Sequence, residues 1–118
     1  MTIALVSPRR IAYAALAAGL LAACLTVEGP WWHAVAFGLA PDLALLGGIA
    51  PGLARGQLHP RAVSFYNALH TFAGPAIVGV AFVLAGISLL GPLAWALHIA
   101  VDRTMGYGLR TRDGFQRS

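Results

Sequence analysis

Charge is what this sequence has least of. Only 10% of its 118 residues are charged and 58% are hydrophobic, whereas a soluble domain carries about 25% charged residues. A small soluble body exposes a large share of its residues, and this chain has too few polar side chains to cover such a surface. Lipid is its natural solvent. Lysine is absent, so all eight basic residues are arginines. A single cysteine, Cys24, excludes an internal disulfide and any multi-cysteine zinc motif. The sequence also lacks a nucleophile elbow, a phosphate loop and a dinucleotide motif, and it has no internal repeat or low-complexity segment. The length allows one domain, 1–118, and the loops are too short to hold a separate soluble one.

What is present is a series of four apolar segments, about 11–27, 32–53, 62–87 and 93–109, followed by a short basic tail at 110–118. Glu28-Gly29-Pro30 ends the first, with Trp31 and Trp32 as interfacial aromatics behind it. Pro41 and Pro51 interrupt the second, the polar stretch Ala54 to Arg61 leads to the third, and Gly91-Pro92 marks the turn before the fourth. Arg9 and Arg10 precede the first segment, Arg55 and Arg61 lie in the central loop, and Arg103, Arg110, Arg112 and Arg117 fall at the end. With the amino terminus inside, every arginine lies on the cytoplasmic face and the two outer turns hold only Glu28, as the positive-inside rule requires. The expected fold is therefore all-α, a polytopic transmembrane four-helix bundle of the inner membrane with both termini in the cytoplasm. The net charge of +4 belongs to this orientation and not to nucleic acid, because neither a basic helix face nor interleaved stacking aromatics is present.

Two further features have more than one reading. Leu21-Ala22-Ala23-Cys24 resembles a lipoprotein signal ending in a lipidated cysteine. Leu25, Thr26 and Val27 extend the apolar run, however, to the lower limit of about 17 residues for a spanning helix, and the expectation is an uncleaved first helix. Gly48, Gly52 and Gly56, and likewise Ala14, Ala18 and Ala22, repeat at four-residue spacing. Such rows serve either tight packing within one bundle or a homodimer face.

Ionisable groups inside a span cost roughly 2.5 to 3.5 kcal/mol for an aspartate at a helix centre, so each calls for an explanation. Asp42, Asn67, His70, His98 and Asp102 are the candidates. At about 1.5 Å per residue, Asp42 lies roughly 15 Å in from Trp32, and His70 is similarly deep from the other side. His98 and Asp102 are four apart and Asn67 and His70 three apart, so each pair is expected on one helix face. Pro41 beside Asp42 suggests a helix that breaks where it lines an enclosed cavity. Two carboxylates and two imidazoles suit one divalent metal, zinc, manganese or iron. They also suit a structural network, with Asp42 paired to a histidine and Asp102 to Arg103 or Arg110, or a proton relay. Tyr66, one turn before His70, is placed to orient that imidazole through its hydroxyl. His33 and His59 fall at interfaces and read as solvated.

Ala40-Pro41-Asp42-Leu43 with Leu46-Gly47, Tyr66-Asn67-Ala68-Leu69-His70, Trp95 through Arg103 and Gly106-Tyr107-Gly108-Leu109 resemble a family of small bacterial membrane proteins, the domain of unknown function numbered 4260. The resemblance covers about residues 32–115 and implies no activity. The same motifs are more loosely similar to membrane-bound metal-dependent hydrolases of the LexA-binding inner-membrane type. That similarity implies Asp42, His70, His98 and Asp102 as metal ligands. The chain departs from it at Ala44, where those hydrolases carry a second aspartate, which weakens both a dimetal site and the hydrolase assignment.

Two functions follow as expectations. One is a metal-dependent hydrolase working on a lipid-phase substrate. The other is a non-enzymatic membrane protein, a small transporter, proton relay or scaffold, whose polar residues form a hydrogen-bond network. The partner common to both is membrane lipid.

Overall fold

A computed structural model describes residues 7–117, and the described residues are all helical apart from turns and one isolated bridge, Arg110 to Gln116. Helix α1 spans Pro8–Thr26. Ser7 caps it by accepting the amide of Arg10 at 3.2 Å, and Pro8 occupies the first turn, where a missing N–H does no harm. It runs without interruption through Cys24 and is, by itself, long and apolar enough to cross a membrane. Helix α2, Trp31–Leu39, follows Pro30 and passes directly into a 3-10 segment, Ala40–Gly48. A second short 3-10 turn, Pro60–Ala62, leads into α3, Val63–Leu69. Helix α4 spans Ala73–Ala85 and ends on Gly86 at φ +72°, in the left-handed region that glycine reaches freely. Helix α5, Leu90–Thr104, packs against α1, α2 and α4 and is the centre of the fold.

Several expected boundaries move, each for a local reason. The second segment, 32–53, is helical only to Leu39, because Pro41 denies the α pattern its donor and the chain tightens into 3-10 geometry. The third, 62–87, is two helices bent by 48° around His70, Thr71 and Phe72. Pro75 lacks the N–H that would bond the carbonyl of Thr71, so one straight helix cannot run through. Taken together, the pair from Pro60 to Ala85 passes the same spanning test as α1. Gly91-Pro92 is not a turn but the first turn of α5, where proline is tolerated and Gly91 lets the ring of Phe37 approach.

The glycine row is also corrected. Gly48, Gly52 and Gly56 share no helix face: Gly48 packs against Leu58, while Gly52 (φ +82°) and Gly56 (φ +78°) are turn residues. Ala14, Ala18 and Ala22 do lie along α1 and are exposed.

The segment after α5 is a docked strap and not a free tail. The amide of Leu58 donates to the carbonyl of Gly114 at 2.9 Å, and Gln57 Nε2 donates to the carbonyl of Asp113 at 2.8 Å. Asn67 holds both polar groups of the Arg110 backbone, donating to its carbonyl at 3.0 Å and accepting its amide at 2.7 Å. Beneath the strap lies a small apolar core of Ala44, Leu58, Ala62 and Tyr66. Ser118 lies outside the described residues.

Candidate metal centre

Two breaks in regular structure build the site beside the unbroken helix α5. Helix α3 stops at Leu69, and His70 takes non-helical angles (φ −111°, ψ 20°). The last carbonyls of a helix have no intrahelical donors, and here side chains supply them. His70 Nδ1 bonds the carbonyl of Tyr66 at 2.7 Å, Trp95 Nε1 donates to Leu69 at 2.8 Å, and Arg103 Nη2 donates to His70 at 3.0 Å. At the end of α2 the carbonyl of Gly38 faces the same shortage, because the i+3 position of the 3-10 register is Pro41. His98 Nδ1 bonds that carbonyl at 2.8 Å.

Both imidazoles are thereby oriented. A carbonyl only accepts, so each Nδ1 carries a proton, and each Nε2 points inward. His70 Nε2 lies 3.1 Å from Asp42 Oδ1 and 3.7 Å from Asp102 Oδ2. His98 Nε2 lies 3.2 Å from Asp42 Oδ1 and 3.3 Å from Asp102 Oδ2. One donor atom from each of the four residues lies within 4.8 Å of the other three. A tetrahedral centre with bonds of 2.0 to 2.1 Å has edges of about 3.3 Å, and the four nitrogen–oxygen separations straddle that value. His70 Nε2 is hydrogen-bonded to Asp42 Oδ1, whereas His98 Nε2 is buried and has no hydrogen-bond partner.

The electrostatics sharpen this. A neutral imidazole protonated at Nδ1 presents a bare lone pair at Nε2, here within 3.1 to 3.7 Å of two carboxylates. That contact repels unless positive charge lies between them. One divalent cation supplies it, and so do two extra protons, one on each ring. Burial grades across the site: the His70 side chain is 3% exposed, His98 14%, Asp102 25% and Asp42 47%. The cluster is sealed at His70 and open at Asp42.

All four expected ligands therefore meet. The supporting residues have other roles than expected. Tyr66 stacks its ring on His70 (centroids 3.9 Å apart, planes 15° apart) and offers its backbone carbonyl, while its hydroxyl accepts from Gln116 Nε2 instead of touching the imidazole. Asn67 turns away to clamp the strap. Arg103 does not pair with Asp102; it binds the carbonyl of His70 and the hydroxyl of Tyr13. Arg110 reaches the carbonyls of Gly56 and Gly114. Among the described residues the aspartates of this site pair only with its histidines. His59 is an N-terminal cap, accepting the amide of Arg61, and half-buried His33 packs edge-on against Trp32. The Gly38 and Leu69 carbonyls left no mark in residue identity, and Trp95 stood in the sequence only as part of a motif, with no role assigned.

A profile described as Domain of unknown function (DUF4260) matches residues 9–118. The chain belongs to the DUF4260 family. Comparison of this DUF4260 protein with curated proteins and with solved structures finds no match. The likeness to membrane hydrolases thus stands on the quoted motifs alone. Ala44, its point of departure, is buried in the core with Leu58, Ala62 and Tyr66, so that position brings no further carboxylate to the cluster.

Proposed function

We propose that this protein is a multi-pass inner-membrane protein that holds one divalent metal between Asp42, His70, His98 and Asp102 and uses it to hydrolyse an ester or phosphoester of a lipid-phase substrate. The observation that carries the metal is the pair of inward Nε2 atoms facing two carboxylates at the edge length of a tetrahedral centre. The two histidines would hold the ion through Nε2, their rings fixed by the carbonyls of Tyr66 and Gly38. A metal bound there would supply Lewis acidity toward a carbonyl or phosphoryl oxygen. Half-exposed Asp42 marks the side from which substrate and water enter.

The membrane reading draws on what the fold leaves uncovered. Leu25, Ile77 and Leu84 are 77%, 69% and 84% exposed, and no residue of α1 is buried. An apolar exterior of this extent suits hydrocarbon and not water. The four-span arrangement takes α1, α2 with its 3-10 extension, the bent α3–α4 pair and α5 as the crossings, with the arginine-bearing ends inside.

A second reading has the same observation behind it, because two protons neutralise the site as one divalent ion does. It makes the cluster a relay or a structural network. Elemental analysis of protein purified in detergent separates the two. Stoichiometric zinc, manganese or iron is the expected result, while protein that is metal-free and binds no added divalent ion refutes the metal and its hydrolase extension together.

A further inference from the structure

A second polar site lies on the side of the strap. A pocket of about 470 Å³ is lined by Arg9, Arg10, Arg103 and Arg117, with Tyr13 and Tyr107. Half of the protein's eight arginines thus converge on one concavity. Membrane orientation explains why they share a side of the bilayer, since the positive-inside rule counts charges along loops. It does not explain why they face one another, because clustered like charges repel unless an anion lies among them.

Two of the four arginines are also held in place by hydrogen bonds. Arg10 Nε donates to the carbonyl of Thr104 at 2.7 Å, and Arg103 is fixed by the Tyr13 hydroxyl and the carbonyl of His70. The ring of Tyr13 has the guanidinium of Arg9 at 5.8 Å and that of Arg103 at 5.7 Å. Among the described residues no carboxylate forms an ion pair with any of the four, and no acidic residue lines the pocket. Guanidinium forks match the oxygens of carboxylate and phosphate alike, and four of them together suit the nearly double charge of a phosphate monoester better than the single charge of a carboxylate.

We propose that this four-arginine pocket binds a phosphate group. Two carriers present that chemistry, the headgroup of an anionic lipid and free phosphate in the cytoplasm. The lipid carrier has an additional feature to use. Phe72 stacks with Tyr13 at 6.2 Å and also forms one end of a wholly apolar groove between α4 and α5, of about 540 Å³. A headgroup among the arginines therefore has a channel for hydrocarbon close by. The inference does not depend on the metal centre, and it is tested without reference to it.

The test is native mass spectrometry of the full chain in neutral detergent, titrated separately with dioctanoyl phosphatidic acid, dioctanoyl phosphatidylcholine and inorganic phosphate. Saturable binding of one phosphatidic acid per protein, with phosphatidylcholine about tenfold weaker, is the expected result and assigns the pocket to a lipid headgroup. Saturable binding of inorganic phosphate without phosphatidic acid supports the site and assigns it to a soluble carrier. The variant R9Q/R117Q should lose about tenfold or more in affinity, because two charge-assisted donors go. The variant R55Q/R112Q removes the same charge outside the pocket and should bind as wild type. Should R9Q/R117Q not fold, R117Q alone, altered on the exposed strap, must still weaken binding. The proposal is overturned if neither phosphate probe saturates, if the pocket variants bind as wild type, or if R55Q/R112Q loses as much as R9Q/R117Q.

Discussion

Replacing Asp42 by alanine, with and without a chelator, tests the centre most directly. Asp42 is the most exposed of the four candidate ligands, its side chain 47% accessible, yet one of its oxygens stands within 3.2 Å of both Nε2 atoms. As a plain hydrogen-bonding partner at that exposure it contributes little, since accessible ion pairs are worth about 0 to 1 kcal/mol. As one of four ligands it contributes to everything the ion adds. At a metal concentration of about 1,000 times Kd, binding to the native state alone stabilises it by roughly 4 kcal/mol.

The two readings therefore separate in size and in pattern. With a metal, Asp42→Ala and chelation of the wild type should each lower the melting temperature by on the order of 10 °C or more, and chelator should add little to the variant. With a hydrogen-bonded network, Asp42→Ala should cost about 1 kcal/mol and chelator should change neither protein. The assay is thermal unfolding in detergent, followed by tryptophan fluorescence, beside the metal content of each sample. A wild type that keeps its melting temperature in chelator and carries no ion refutes the reasoning.

Three further outcomes follow from the fold. Gly114→Ala should release the strap, because φ is +98° there and an added Cβ would run into the Leu58 carbonyl; faster tryptic cleavage at Arg112 and a loss of about 2 kcal/mol or more are expected, and an unchanged cleavage rate would count against the strap. Asn67→Ala removes both bonds to the Arg110 backbone, so strap cleavage should again accelerate at a stability loss of about 1 to 3 kcal/mol, with bound metal retained because Asn67 does not face the centre. Reporter fusions after Gly56 and at Ser118 should report cytoplasm and a fusion near Gly29 the outside; an external carboxy terminus would overturn the four-span arrangement.

How far the sequence could be read depended on whether local geometry stayed helical. His98 and Asp102 lie four apart inside α5, so the i, i+4 rule put them on one face and they meet there. The same rule failed for Asn67 and His70, because α3 ends between them and His70 rotates away from its helical direction. Apolar runs located the helices, but prolines at 41 and 75 set where they break, and a hydropathy window averages over both. The strap went unread for a different reason. Its contacts are bonds from its backbone to Leu58 and to the side chains of Gln57 and Asn67, the last 43 positions away, and hydrophobic periodicity carries no signal for them.

Helix breaks and ligand orientation are here one set of bonds. A buried carbonyl left unpaired costs about 1 to 3 kcal/mol, so the carbonyls freed at Gly38 and Tyr66 need donors, and the donors are the histidines of the candidate centre themselves. On the metal reading a histidine in this centre thus has two tasks, whereas Asp42 has one. Replacing His98 by alanine removes a ligand and leaves the Gly38 carbonyl unpaired. Replacing Asp42 removes a ligand only. In chelator, where neither variant holds an ion, His98→Ala should therefore remain less stable than Asp42→Ala by about 1 to 3 kcal/mol. His98→Asn offers a shorter donor in the same direction and should recover part of that difference without restoring metal. Equal stability of the two alanine variants in chelator would mean that the 2.8 Å bond from His98 to Gly38 does not hold the break between α2 and its 3-10 extension.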